Sequence, residues 1–241
     1  MTEQLKVLWQ RCFADSPEDT NRFFETAYSP QRCQVWQEGE TVAAALHWLD
    51  CQLEGQKLAY LYAVATDPAF RGRGLCRQLM ERTHAQLKAQ GYAGGVLYPA
   101  NGGLRQMYGK MGYENCGGMR QIQVQAGHPV AIRPIGAEEY AALRRKLLPP
   151  GGVIQEGAQL RFLQTYAQLY AGEDFLLAAV REGDQLHGLE LLGNADRAAG
   201  ITAALGCQRG SFRTQGTEEF AMFRPLHPDA AVPAYFGLVF D

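Results

Sequence analysis

The chain has 241 residues, a formal net charge of −2, 46% hydrophobic residues and 20% charged residues. That is the composition of an ordinary globular protein, long enough for one large or two small domains. The near-neutral balance argues against nucleic acid as the main partner.

The remaining bulk features exclude further classes. Six cysteines (Cys12, Cys33, Cys51, Cys76, Cys116, Cys207) are scattered without Cys-x-x-Cys pairs. This predicts reduced thiols in a cytoplasm rather than a disulfide frame or zinc site. The five histidines show no ligand spacing, so no metal is expected. The N-terminus opens directly on a polar helical pattern, so no signal peptide is expected. No apolar run approaches the roughly 18 residues of a membrane span.

In chain order, Glu3 to Phe13 reads as a helix with Leu5, Leu8, Trp9 and Cys12 on one face. Asp15-Ser16-Pro17 ends it and caps a second helix through Asn21, Phe23, Phe24 and Tyr28. Gln34–Trp36 and Thr41–Leu49 read as strands joined by Glu38-Gly39-Glu40. An apolar strand, Leu58 to Ala65, then runs through a turn into Arg71-Gly72-Arg73-Gly74-Leu75-Cys76-Arg77, which opens a helix from Leu75 to Gln90. Such a junction aims several backbone N–H groups at one point, and the helix terminus adds about half a positive charge there. Glycine lets the backbone approach a bulky anion, so the expected guest is a phosphate or pyrophosphate.

Two phosphate-loop patterns do not fit. There is no Gly-x-x-x-x-Gly-Lys-Ser/Thr, and Gly-x-Gly-x-x-Gly would need glycine where Arg77 stands. Further on come Gly94-Gly95, a short strand Val96–Tyr98, Pro99-Ala100-Asn101, and a helix with Leu104, Met107, Tyr108 and Met111 at i, i+3, i+4, i+7. Gly112 ends that helix, and Tyr113 begins the next strand.

The run Arg71-x-x-Gly74-x-Cys76 resembles the pyrophosphate loop of the GNAT family of acetyl-CoA-dependent N-acetyltransferases, with Cys76 departing from the family's Gly or Ala. Asn101, Tyr108 and Gly112-Tyr113 are similar to the family's next motif, in the same order. The resemblance covers roughly residues 1–126. It implies an α/β (α+β) fold with a mixed central sheet flanked by helices, acetyl-CoA as cosubstrate, and a small-molecule or peptide amine as acceptor. It further implies that Val64, Ala65 and Thr66 pair with pantetheine, and that Arg71, Gly72, Arg73, Gly74, Leu75, Cys76 and Arg77 hold the pyrophosphate. Asn101 would contact pantetheine or phosphate, and Tyr108 would protonate the departing thiolate. These types suit the chemistry: acetyl transfer needs a held donor, a hydrogen-bond donor for the thioester oxygen and a proton for the leaving group.

After Gly127-His128-Pro129, read as a linker, the chain restarts, giving a GNAT domain at 1–126 and a second, smaller α/β domain at 130–241. Here Ala131–Ile135 reads as a strand, and Ala137–Leu148 and Leu160–Tyr170 as helices. Phe175–Val180 and Gln185–Leu192 form a hairpin around Glu182-Gly183-Asp184, and a helix follows Asn194. The hairpin echoes the one around Glu38-Gly39-Glu40, and Asn194 to Gly206-Cys207 echoes Asn101 to Gly112-Tyr113, a weak internal repeat. This copy is expected to lack the central strand, the glycine loop and the long helix, so its expected role is to wall the acceptor cleft, pair with the first sheet or form a homodimer. The apolar, strand-like tail Pro233–Asp241 should dock rather than fray.

The general base is left open among His47, Asp50, Glu114, Asp241 and water; in relatives of the enhanced-intracellular-survival type a terminal carboxylate reaches the site. Two other readings stay open: a non-catalytic acyl-CoA sensor in which Tyr108 is a core residue, and an RNA-binding element at Arg71–Gly74, which the net charge disfavours.

Overall fold

The structure, a computed structural model, describes residues 1–240. The chain divides into two compact units: Met1–Glu114 with Phe223–Ala231, and Asn115–Met222 with the segment from Val232 onward. The division does not fall at Gly127-His128-Pro129. That stretch is tied into the second unit, where Gly127 N–H donates to Ala199 O at 2.9 Å. The preceding strand β5 (Glu114–Gln125) runs antiparallel to β11 (Arg209–Gln215) from Met119 to Gln125.

In the first unit, α1 (Thr2–Cys12) buries Leu5, Leu8 and Trp9. α2 (Pro17–Thr26) starts on Ser16, whose Oγ accepts from Asp19 N–H at 3.1 Å, with Pro17 in the first turn. β1 (Cys33–Glu38), β2 (Thr41–Leu53) and β3 (Gln56–Thr66) form an antiparallel meander. α3 (Leu75–Ala89) crosses over to β4 (Gly94–Leu97), which lies parallel to β3. α4 (Gly102–Gly109) follows. The Phe223–Pro225 end of β12 (Glu218–Pro225) lies beside β4. A side chain at Gly94 would run into the Phe223 ring, so glycine is required there. Gln56 fixes the returning segment by donating to Asp229 O and accepting from Ala231 N–H.

Two local features shape this unit. Between Ala45 and His47 the β2–β3 register slips, so Ala63 and Val64 together oppose Leu46. This is a β-bulge, and Ala63 sits at φ +50°, a strained value for alanine. On the other edge, β3 pairs with β4 only from Leu58 to Tyr60, and beyond that the two strands part.

The second unit repeats the same pairing pattern. It contains β6 (Arg133–Pro134), α5 (Ala137–Leu147), β7 (Ile154–Gln155), α6 (Ala158–Leu163), β8 (Gln168–Ala171), β9 (Phe175–Glu182), β10 (Gln185–Gly193), α7 (Ala198–Ala204) and β11. β8–β9 and β9–β10 are antiparallel and β10–β11 is parallel, as are β1–β2, β2–β3 and β3–β4 respectively. In this alignment β10 occupies the place of the central strand β3, and the Asn194 segment with α7 that of the glycine loop and α3. Asn194 therefore does not correspond to Asn101, and the second unit does have a central strand; hairpin tips and helix caps carry no record of strand partners, which is why they misalign the repeat. The long helix expected over Leu160–Tyr170 also divides: α6 ends at Leu163, and Gln168–Ala171 is drawn into the sheet between β9 and β6. Alternate burial along β8 and pairing on both edges outweigh helix propensity there.

The tail docks as expected. Tyr235, Phe236, Leu238, Val239 and Phe240 are buried. Gln155 brackets Leu238 by donating to its carbonyl at 2.6 Å and accepting from its N–H at 3.1 Å. Beneath it lies a buried ion pair, Arg144 Nε to Glu190 Oε2 at 2.8 Å, with the Tyr140 and Tyr235 hydroxyls donating to the same carboxylate.

Candidate active site

The parting of β3 and β4 opens a cavity of about 620 Å³ in the first unit. Val64, Ala65 and Thr66 line it from β3, and Leu104, Met107, Tyr108 and Met111 from α4 and its end. Cys12 and Phe13 close it from the end of α1. Arg71, Gly72, Gly74, Leu75, Cys76 and Arg77 line it from the loop and the first turn of α3, and Asn101 from the start of α4. All the residues singled out from sequence for the cofactor therefore border one space, except Arg73. The Arg73 guanidinium instead lies 5.1 Å from the Phe70 ring centre.

The loop is built for an anion. Asp67 starts a short turn by accepting from Ala69 N–H at 2.9 Å, and Arg11 reaches it at 2.7 Å. These two donors hold the Asp67 carboxyl below its ordinary range. Arg71 Nε donates to Thr66 O at 3.1 Å, which fixes the loop to the end of β3. Gly72 and Gly74 adopt φ of +79° and +74°, conformations that other L-residues rarely take. Gly74 is the N-cap of α3 and no side chain caps that helix. The first-turn N–H groups are thus left for a ligand, with the helix dipole behind them. A Cβ at Gly72 would meet nothing within 4 Å, so the cradle is open. The residues present fit a pyrophosphate.

Tyr108 is 6% exposed, its ring 5.8 Å from that of Tyr113. Burial, reinforced by the neighbouring Cys76, raises its phenol above the ordinary range, so it keeps its proton at neutral pH. Burial likewise raises the Cys12 and Cys76 thiols, which disfavours the thiolate. The Asn101 Oδ1 caps α4 by accepting from Leu104 N–H at 2.9 Å.

The candidate bases fare differently. His47 does not reach the cavity; it is 3% exposed inside a ring of Trp9, Phe23, Phe24 and Tyr28. Burial lowers it to about 3, so it is neutral, and its Nδ1 has no hydrogen-bond partner. Asp50 lies opposite Ala59, away from Val64–Thr66, ion-paired with Arg32 at 3.1 Å and accepting from the Tyr92 hydroxyl. Glu114 is exposed and does not border the cavity. Asp241 lies outside the described residues. Among the described residues no carboxylate lines the cavity; its charged groups are Arg71 and Arg77.

Sequence reasoning missed the Ala63 bulge and the wall formed by Cys12 and Phe13. A bulge leaves no compositional trace, and the wall depends on where α1 packs.

The sequence of residues 1–116 matches the family model described as an acetyltransferase (GNAT) domain. Residues 1–116 form a GNAT acetyltransferase domain. That domain is an acyltransferase domain of the GNAT type. Solved GNAT structures share the fold. A GCN5-related N-acetyltransferase from Kribbella flavida is 20% identical with a TM-score of 0.68, over 97% of this chain and 70% of that one. One from Anabaena variabilis is 18% identical with a TM-score of 0.73, over 93% and 70%. Eis1 from Mycobacterium abscessus is 12% identical with a TM-score of 0.68, over 93% and 71%. No curated protein matches the sequence.

No second slot of this kind forms between the matching strands of the second unit. A bulge is present there too, at Leu189, but β10 and β11 pair on both sides of it, from Gln185–Arg209 to Leu191–Thr214. Arg213 Nε donates to Leu189 O at 3.1 Å, and Thr214 Oγ1 to Leu191 O at 2.8 Å. Among the described residues no group of side chains is arranged to hold a metal, and no helix is long and apolar enough to cross a membrane.

Proposed function

We propose that the protein is an acetyl-CoA-dependent N-acetyltransferase that moves the acetyl group directly to the amine of a small molecule or peptide. The observation that carries this reading is the cavity itself, in which the parted strand, the uncapped glycine loop and a protonated tyrosine border one space. Bound acetyl-CoA supplies an acyl group activated as a thioester. Gly72 to Arg77 bind the pyrophosphate through backbone N–H groups and the α3 terminus. Val64, Ala65 and Thr66 extend an unpaired strand edge to the pantetheine amides, and one of their N–H groups polarises the thioester oxygen. Tyr108 holds its proton on Oη and gives it to the leaving sulfur. Among the described residues no carboxylate borders the cavity, which leaves water or Asp241 to take the proton lost by the amine. Free cysteines throughout suit a cytoplasmic setting.

The test is release of free thiol from acetyl-CoA across a panel of amines, with Tyr108→Phe alongside. The variant should keep its acetyl-CoA affinity and lose on the order of 10²-fold in kcat, the worth of a general acid. Tight acetyl-CoA binding with no thiol release for any amine would favour an acyl-CoA sensor instead.

A further inference from the structure

The titratable side chains that border the cavity, among the described residues, are Cys12, Cys76, Tyr108, Arg71 and Arg77. Burial is the leading cause that raises both thiols and the phenol, so all three keep their protons at neutral pH. The two guanidiniums hold theirs throughout. Asp67, just past β3, is 3% exposed and both of its oxygens are taken. Its Oδ1 accepts from Ala69 N–H at 2.9 Å and its Oδ2 from Arg11 Nη1 at 2.7 Å. Those bonds hold its carboxyl below the ordinary range, which makes it a poor base. His47 is walled off by aromatic rings and stays neutral until about pH 3. These side chains offer a proton to the cavity and none of them takes one from it. The rest of the wall is largely apolar, with Phe13, Val64, Leu104, Met107 and Met111. Burial against such a wall disfavours an ammonium ion.

An acceptor must then arrive with its nitrogen already neutral. A peptide α-amine titrates at about 8 and a lysine-type alkylamine at about 10.4, so at pH 7 the neutral fraction differs about 300-fold between them. We propose that the acceptor is a weakly basic primary amine, of the peptide α-amine or arylamine kind, rather than an alkylamine such as a lysine side chain or a polyamine. This rests on the reading that the cavity carries out acetyl transfer, and it narrows the acceptor of that reading by basicity. The step balances. The amine nitrogen forms the C–N bond, the C–S bond breaks, and Tyr108 gives its proton to the sulfur. The nitrogen, made acidic by the new bond, releases one proton to water, and Tyr108 is reprotonated from water.

The experiment measures thiol release from acetyl-CoA by the full chain, from about pH 6 to about pH 9.5, with three sets of acceptors. These are peptides with a free α-amine, arylamines, and Nα-blocked lysine peptides. At pH 7 an α-amine or an arylamine should exceed the lysine peptides in kcat/KM by at least about 10-fold. The 300-fold difference in neutral amine is partly offset, because a neutral lysine nitrogen is the stronger nucleophile. The rising limb of kcat/KM should follow the acceptor: at about pH 8 for the α-amines, still climbing at about pH 9.5 for lysine, and flat for the arylamines. Activity confined to the α-amines identifies a peptide-type source and activity confined to the arylamines an aromatic small molecule; either supports the class. A rising limb that stands at one pH for every active acceptor, or appears with an arylamine, reports a base on the protein and overturns the proposal while leaving acetyl transfer intact. Lysine peptides as fast as the others at pH 7 overturn it as well. A chain that releases thiol with none of the three sets overturns the acetyl-transfer reading and the acceptor class with it.

Discussion

Replacing His47 with phenylalanine should make the protein more resistant to acid. In the fold the imidazole is surrounded by aromatic rings, with centroids 5.2 Å away at Phe23 and 5.6 Å at Tyr28, and its Nδ1 lacks a partner. An unpaired buried polar atom costs about 1–3 kcal/mol, part of which His47→Phe should recover at pH 7. The larger effect depends on pH. His47 titrates near 6.5 when unfolded and at about 3 when folded. Below pH 6.5 the unfolded chain binds a proton that the folded chain refuses, so stability falls as pH drops from 6.5 toward 3. At pH 5 that is about 1.5 pKa units, or roughly 2 kcal/mol, and the burial of the ring means solvent screening removes little of it. Urea titrations of wild type and His47→Phe at pH 7 and pH 5 measure this directly. The gap between the two proteins should widen by about 2 kcal/mol at pH 5. His84, lowered to about 4, adds its own acid loss to both proteins and cancels in the difference. If the two stabilities fall in parallel, His47 is not the buried neutral group described here.

Gly74→Glu should abolish acetyl-CoA binding, since it forces a side chain onto a φ of +74° and sets a negative charge at the α3 N-terminus; unchanged affinity in the folded variant, read by calorimetry, would remove the loop from the site. The same titration on the wild type should give one acetyl-CoA per chain, because β10 and β11 stay paired past their bulge, and a stoichiometry of two would contradict that. Glu190→Gln should cost about 3–5 kcal/mol by leaving Arg144 an uncompensated buried charge; a denaturation midpoint close to wild type would mean the pair is not desolvated as described.

The glycine loop and the Asn101 cap were legible in sequence because each is a local device. Glycine at positive φ, an Asn before a helix and a 3.6-residue apolar period announce themselves within a dozen residues. What could not be read depends on distant partners. Gln168–Ala171 becomes a strand only because β9 and β6 offer it edges, and its own residues suit a helix as well. Arg224 joins the first unit because Phe223–Ala231 returns there, held by Gln56. His47 looked like a catalytic candidate from its place on β2, and only the packing of α1 and α2 over it shows a neutral core ring. The repeat was visible at its hairpin tips but misaligned, since strand order is a property of pairing rather than of any one segment.

Both units carry a bulge on the equivalent strand, yet β3 has lost β4 after Tyr60, ahead of its bulge, while β10 stays paired with β11 on both sides of its own. The bulge alone therefore does not make an opening; the neighbouring strand must also stop. β4 stops at Leu97, and Pro99 follows two residues later. Proline has no N–H to donate, which disfavours resumption of the ladder to β3 there. β11 has no proline along its length and runs on to Gln215. By this argument the ligand slot is held open by a punctuation mark in the chain. A first half in which residues 98–100 continued as strand would close on itself as β10 and β11 do, with the glycine loop and Tyr108 still in place and nothing for them to hold.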